Sequence, residues 1–165
     1  MKFAYADPPY IGWAKRYYSA DPRCAEVDHL ALISRLAEEY QDGWALSCST
    51  PSLGAILAMC PPGIRVCAWV KPLCGSRPNV RPTFAWEPVL LFGGRKDPKS
   101  VYVRDWIAVS KPMTGGGALL VGRKPAAVCL WILNLLGFED GDTLDDLFPG
   151  TGIMGVSTLQ SRLPV

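Results

Sequence analysis

The sequence contains little of what a metal site or a membrane segment requires. It has one histidine, His29, and its six cysteines never form a Cys-x-x-Cys pair, which argues against zinc binding. It has no apolar run of membrane-spanning length and no signal-peptide pattern, so we expect a cytoplasmic protein whose cysteines are reduced and mostly buried. The net charge of +2 is too small to indicate nucleic-acid binding by itself, although it permits it.

What the sequence does contain is enough apolar surface for one good core. It has 165 residues, of which 49% are hydrophobic and 10% aromatic. This length is too short for two comfortable domains. We therefore expect residues 1–165 to form a single domain.

The most informative stretch is Asp7-Pro8-Pro9-Tyr10, which follows the apolar run of residues 3–6. Neither proline can donate to a strand ladder and each fixes its own φ, so a buried strand must end here. The stiff diproline holds the Tyr10 ring out from the strand end. The corner thus offers a carboxylate, backbone carbonyls and a flat aromatic face, which together suit a planar ring that bears an amino group.

The reaction that fits such a corner is methylation of an exocyclic amine. The nitrogen of such an amine is a poor nucleophile because its lone pair is delocalised into the ring. If Asp7 and the Pro8 carbonyl accept hydrogen bonds from its two N–H groups, the nitrogen moves toward tetrahedral geometry, while Tyr10 stacks on the base and orients it. No metal is needed. The alternative is a proline-rich corner with no catalytic role.

Helical and strand patterns alternate along the chain, which is typical of a parallel sheet with helices on both faces. His29 falls in the first turn of a helix and is expected to cap or decorate it, not to act as a base. The strand at 86–92 is expected to be antiparallel to the others, as a hairpin partner of the third strand. The predicted strands are 3–6, 43–49, 64–70, 86–92, 143–148 and a short edge segment within 101–109; the predicted helices are 26–40, 52–59 and 126–136.

Two segments, 12–23 and 73–83, have no regular periodicity and carry basic side chains. The first interleaves them with tyrosines and a tryptophan, a combination that can contact phosphates and stack on bases. A solvated surface loop is the equally good alternative. The candidate nucleic-acid contacts are Lys15, Arg16, Arg77 and Arg81.

A glycine turn, Phe148-Pro149-Gly150-Thr151-Gly152, follows the last predicted strand. Open α/β sheets bind cofactors at the carboxyl ends of their strands, where the backbone can approach closely and a helix N-terminus favours an anionic group. A Gly-x-Gly alone is weak, and a plain strand-to-helix turn would explain it equally well.

Taken together, the two motifs resemble those of the amino-methyltransferases that use S-adenosylmethionine, the DNA N6-adenine and N4-cytosine enzymes and their RNA-adenosine relatives. The catalytic motif of that family is Asp/Asn/Ser-Pro-Pro-aromatic, and its cofactor motif Asp-x-Phe-x-Gly-x-Gly is similar to residues Asp146 to Gly152 here. In the permuted group the catalytic motif comes first and a Lys-Pro pair, here Lys124-Pro125, precedes the cofactor motif. The resemblance runs from about Lys2 to Gly155 and is nearest to small single-domain enzymes of phages and bacteria.

This resemblance implies a Rossmann-like methyltransferase sheet, circularly permuted and short at its C-terminal end. It implies that Asp7, Pro8, Pro9 and Tyr10 bind the target base. It also implies that S-adenosylmethionine is the cofactor, with Lys124 near its carboxylate and Asp146 anchoring the turn and the amino end. The cofactor-binding residues so implied are Asp7, Lys124, Asp146, Phe148, Pro149, Gly150, Thr151 and Gly152.

By the same resemblance, aspartate as the first catalytic residue favours adenine over cytosine, where serine is commoner. We expect methylation of N6 of adenine in DNA. The alternatives are N4 of cytosine, adenine in RNA, or a non-catalytic nucleic-acid-binding partner of the same fold. The sequence departs from the family by lacking, after Gly152, the strand that usually supplies an acidic residue to the cofactor's ribose. It also has no room for a target-recognition domain, so the two basic loops, a homodimer or a partner subunit would have to supply recognition.

Overall fold

The computed structural model describes residues 1–12, 26–75, 78–96, 102–110, 124–150, 152 and 154–155. The strands are β1 Lys2–Ala6, β2 Gly43–Ser47, β3 Arg65–Val70, β4 Trp86–Gly93, β5 Trp106–Ala108 and β6 Thr143–Asp146. The helices are α1 His29–Glu39, α2 Leu53–Met59 and α3 Ala126–Leu136, with a 3-10 turn at Thr50–Ser52.

Within the described residues the strands form one six-stranded sheet in the order β5-β3-β4-β2-β1-β6. β1 pairs in parallel with both β2 and β6, and β3 pairs in parallel with β5. β4 runs antiparallel to both of its neighbours, β2 and β3. The expected mostly parallel sheet with one antiparallel strand is therefore confirmed, and the antiparallel strand proves to be an interior one.

Two apolar cores cover the two faces of this sheet. On one face, Ile33 and Leu36 of α1 and Ile56 of α2 pack over Leu46 and Leu90. On the other face the core is closed by α3, which buries the residues Val128, Cys129, Trp131, Ile132, Leu133 and Leu136. Both faces thus carry helices, as the alternating pattern predicts.

Two elements, α1 and β6, are shorter than the sequence predicts. α1 begins at His29 and not at residue 26, because the Asp28 side chain accepts a hydrogen bond from Ala31 N and so caps the helix. His29 is buried and its Nδ1 donates to the carbonyl of Val27, 2.9 Å away, which fits the expected structural role. β6 ends at Asp146 and not at residue 148, because the chain turns there.

No helix in the described part of the chain is long and apolar enough to cross a membrane. Of the five described cysteines, Cys48, Cys67 and Cys129 are buried, and none of the five forms a disulfide. The described residues contain no cluster of three or more potential metal ligands.

Candidate active site

The two sequence motifs leave the sheet side by side. Tyr5 of β1 is in register with Asp146 of β6, and Leu147 N donates to Tyr5 O over 2.9 Å. Because the two strands are parallel, their carboxyl ends meet at the same edge of the sheet. The Asp7 corner and the glycine turn therefore begin from neighbouring strand ends, as the sequence predicts.

The glycine turn is built around Asp146. Its Oδ1 accepts a hydrogen bond from Phe148 N over 3.2 Å, and Gly152 N donates to Pro149 O over 2.6 Å. Gly150 has φ +47° and Gly152 has φ +71°, which is left-handed backbone that favours glycine. Burial raises the pKa of Asp146, with Asp7 adding to the rise, while the Phe148 amide and Lys124 oppose it.

The ring of Phe148 is half-buried, whereas Pro149 and Gly150 are exposed at the tip of the turn. A Cβ placed on Gly152 would meet nothing within 4 Å among the described residues. No described residue therefore occupies the space beside Gly152. Thr151 lies outside the described residues.

Asp7 and Lys124 form an ion pair, with Lys124 Nζ 2.5 Å from Asp7 Oδ2. The lysine side chain is 5% exposed and the aspartate 23%. Burial lowers the pKa of Lys124, but Asp7, the nearby tyrosines Tyr5 and Tyr10, and Glu87 outweigh this effect and bring it well above its ordinary value. The lysine is thus a buried cation beside the Asp7 corner, where it forms an ion pair with Asp7.

The position of Lys124 follows from the proline after it. Pro125 has φ −60° and ψ 142°, so the chain is extended until α3 begins at Ala126. The Pro125 carbonyl accepts hydrogen bonds from the amides of Val128 and Cys129 in the first turn. The start of the helix therefore fixes the backbone from which Lys124 reaches Asp7.

Tyr10 makes a contact that sequence reasoning did not anticipate. Its Oη donates to Glu87 Oε2 over 3.1 Å, and Glu87 Oε1 is ion-paired with Lys71 Nζ. Lys71 Nζ also lies 4.8 Å from the centroid of the Trp69 ring. Because β4 is antiparallel, its first residues, including Glu87, lie at the edge where the other strands end. A glutamate within the otherwise apolar run 86–92 was the available signal.

Tyr5 and Ser47 form the second contact that the sequence did not reveal. Tyr5 Oη and Ser47 Oγ share a 2.9 Å hydrogen bond, and both side chains are buried. Burial raises the pKa of Tyr5 well above its ordinary value, so the phenol is neutral. This pair joins the carboxyl ends of β1 and β2 beneath the corner.

A groove of about 440 Å³ opens at the same edge of the sheet. Phe84, which is 49% exposed, and Arg81 lie on its wall. The full lining is Thr50, Asn79, Val80, Arg81, Pro82, Thr83, Phe84 and Trp86. Of the four predicted nucleic-acid contacts, Arg81 is thus placed beside a groove, while Lys15, Arg16 and Arg77 lie outside the described residues.

No protein-family model matches the sequence, and the search of curated proteins gives no match. Solved structures do match. The crystal structure of an M1.HpyAVI–SAM complex has a TM-score of 0.63 at 19% identity, over 98% of this chain and 78% of the other. The crystal structure of M1.HpyAVI has a TM-score of 0.59 at 16% identity, over 98% and 77% of the two chains. The similarity shows that this chain has a Rossmann-like methyltransferase fold.

Proposed function

We propose that this chain is an S-adenosylmethionine-dependent methyltransferase of the permuted type that methylates N6 of adenine in DNA. The observation that carries the proposal is the register of β1 with β6, which brings the Asp7 corner and the glycine turn to adjacent strand ends. The similar M1.HpyAVI structure is a complex with SAM, which supports the same cofactor here.

The residues at the turn fit that cofactor. Gly152 has no described residue within 4 Å of the place of a Cβ, so a ligand could approach the backbone there, and the half-buried Phe148 offers an aromatic surface. Asp146 holds the turn in shape through Phe148 N. Lys124 adds a buried positive charge on the side of the corner. When bound, S-adenosylmethionine supplies an electrophilic methyl group on a sulfonium sulfur.

The corner residues would bind and orient the base. Asp7 Oδ2 is held by Lys124, so the carboxylate has a fixed orientation from which Oδ1 can accept a hydrogen bond from the amine. The Pro8 carbonyl would accept a hydrogen bond from the other N–H of the amine, and the Tyr10 ring would stack on the base. Such pre-set geometry lowers the barrier because little reorganisation remains at the moment of reaction. In duplex DNA the base must first be flipped out of the stack.

The groove beside the corner is the place where the rest of the nucleic acid would lie. Arg81 can contact a phosphate, and the exposed Phe84 ring can stack on a base. Together with Lys15, Arg16 and Arg77, Arg81 would form the nucleic-acid contacts. A homodimer or a partner subunit would add target recognition.

The test is incubation of the purified protein with tritiated S-adenosylmethionine and defined DNA or RNA oligomers, followed by nucleoside analysis. Tritium in N6-methyl-2′-deoxyadenosine from the DNA is the expected result. Label in N4-methylcytosine, or label from the RNA alone, would replace the proposed substrate by one of the alternatives. No label, together with no heat of cofactor binding in calorimetry, would favour a non-catalytic nucleic-acid-binding protein.

A further inference from the structure

The carboxylate of Glu87 has contacts on both of its oxygens. Oε2 accepts from the Tyr10 hydroxyl and Oε1 is paired with Lys71. The side chains of Lys71 and Glu87 are only 12% and 14% exposed. A carboxylate held in this way has a fixed position and orientation, and the phenol that bonds to it is fixed in turn.

A largely buried ion pair at this place is weakly explained by stability. Removing two charges from water is costly, and an apolar pair of similar volume is often as stable or more so. Glu87 is also the one charged residue of β4, and the residues that follow it, Pro88 and Val89, are apolar and buried. Its position at the strand edge beside Tyr10 suggests a role in the site.

Tyr10 is fixed at one end by the backbone and at the other by Glu87. The two prolines before it limit the backbone, but the ring can still rotate about its side-chain torsions. A hydrogen bond at the hydroxyl removes much of that rotation. A base stacks on the Tyr10 ring only when the ring lies in one particular plane. The hydrogen bond to Glu87 would hold the ring in that plane before the base arrives.

We infer that Glu87, held by Lys71, is a positioning residue that fixes the plane of the Tyr10 ring against the target base. This inference rests on the proposed function, since it requires a base stacked on Tyr10. Glu87 acts only through Tyr10 and takes no proton from the substrate. Its loss should therefore matter only while the Tyr10 hydroxyl is present.

A double-mutant cycle tests this dependence. Tyr10→Phe keeps the ring and removes the hydroxyl, whereas Glu87→Leu keeps the volume and removes the acceptor. Each change is expected to lower kcat about tenfold or more, and the double variant should be no worse than the poorer single one. The dissociation constant for S-adenosylmethionine should stay within about twofold in all three. Glu87→Gln, which retains an acceptor oxygen, should lose less activity. If Glu87→Leu does not fold, Glu87→Ala also removes the acceptor and provides the cycle.

A second readout does not depend on turnover. In an oligomer with 2-aminopurine at the target position, stacking on Tyr10 quenches the fluorescence of bound DNA. The quenching should weaken equally in Tyr10→Phe and Glu87→Leu. Glu39→Gln is the matched control, because Glu39 pairs with Arg35 on the exposed surface of α1, and it should behave as wild type.

If the losses in kcat multiplied in the double variant, the inference would be wrong. It would also be wrong if Tyr10→Phe were as active as wild type. Neither result would contradict the proposed function. A wild-type protein that transfers no methyl group would overturn the proposed function and the inference with it.

Discussion

Lys124 Nζ lies 2.5 Å from Asp7 Oδ2, which joins the start of α3 to the corner at the end of β1. This contact links the catalytic motif to the residue that the family resemblance places near the cofactor carboxylate. One oxygen of Asp7 is therefore paired with a cation. The Asp7 carboxylate in turn raises the pKa of Lys124, so the lysine stays charged although it is buried. Substrate and cofactor sites would share this pair.

Lys124→Met should damage both stability and activity. The change removes the cation that pairs with the largely buried Asp7 carboxylate. Breaking such a pair typically lowers the free energy of unfolding by about 3 kcal/mol. Methyl transfer should fall at least about tenfold. Urea unfolding and the tritium assay would measure the two effects.

Lys2→Met is the matched control for that variant. Lys2 Nζ is 3.7 Å from Asp145 Oδ2, and both side chains are about half exposed, 52% and 47%. An exposed pair of this kind contributes less than about 1 kcal/mol. If Lys124→Met and Lys2→Met lowered the free energy of unfolding equally, the Asp7–Lys124 pair would not stabilise the fold more than an exposed pair does.

Gly152→Ala should weaken cofactor binding although no described residue would touch the added methyl group. The backbone φ of +71° costs an alanine about 1–2 kcal/mol, so the turn would relax to a different shape. Calorimetry should show S-adenosylmethionine binding weakened about tenfold. Gly54→Ala is the control, since Gly54 lies in α2 with nothing within 4 Å, and there alanine should stabilise by up to about 1 kcal/mol. Unchanged affinity in Gly152→Ala would separate the turn from the cofactor site.

Arg81→Ala and Phe84→Ala should weaken DNA binding in different ways. If Arg81 contacts a phosphate, its loss should make the slope of log K against log salt concentration shallower by about one unit. Loss of stacking at Phe84 should cost about 1–3 kcal/mol with little change in that slope. Arg65→Ala is the control, because Arg65 is exposed at the start of β3, away from the carboxyl edge. If the salt slope of Arg81→Ala matched that of Arg65→Ala, the groove would not be a phosphate site.

Stability should fall in acid because of Asp142. Burial would raise the pKa of Asp142, but the Met1 amine, Arg95 and the Glu139 amide outweigh it and lower the pKa to about 2. A carboxyl whose pKa is lower in the folded state contributes stability above its unfolded pKa and loses it as pH falls toward the folded value. About 2 kcal/mol should therefore disappear between about pH 4 and pH 2.

Urea unfolding of wild type and Asp142→Asn at pH 7 and pH 3 measures this contribution. The variant should be less stable at pH 7, and the gap should narrow at pH 3. Asp105→Asn serves as the control, since Asp105 is 51% exposed and only 3.9 Å from Arg65. A gap that stayed constant with pH would mean that Asp142 acts through packing and not through its charge.

The kinds and order of the elements were predictable because several of their ends are marked in the sequence. Prolines end β1, a buried run defines β2, and Gly137, with φ +66°, stops α3. The ends of β2 and β6 were predicted two residues too late. The family resemblance implied that the Asp7 corner and the glycine turn serve one site, and the pairing of β1 with β6 agrees with it.

The contacts within the site could not be derived in this way. Glu87 meets Tyr10 only because β4 is inserted, antiparallel, between β2 and β3. The pairing of Tyr5 with Ser47 depends on the register of β1 with β2. Sheet order and register are decided by packing between distant segments, and local pattern carries little information about them.

Asp7→Ala gives the most direct test of the central claim. The change removes the side-chain oxygens, so none is left to accept a hydrogen bond from the amine. Calorimetry should show S-adenosylmethionine binding within about fivefold of wild type, while tritium transfer to DNA falls by about a thousandfold. Asp105→Ala should match wild type in both measurements. Transfer by Asp7→Ala at a rate near that of wild type would contradict the account.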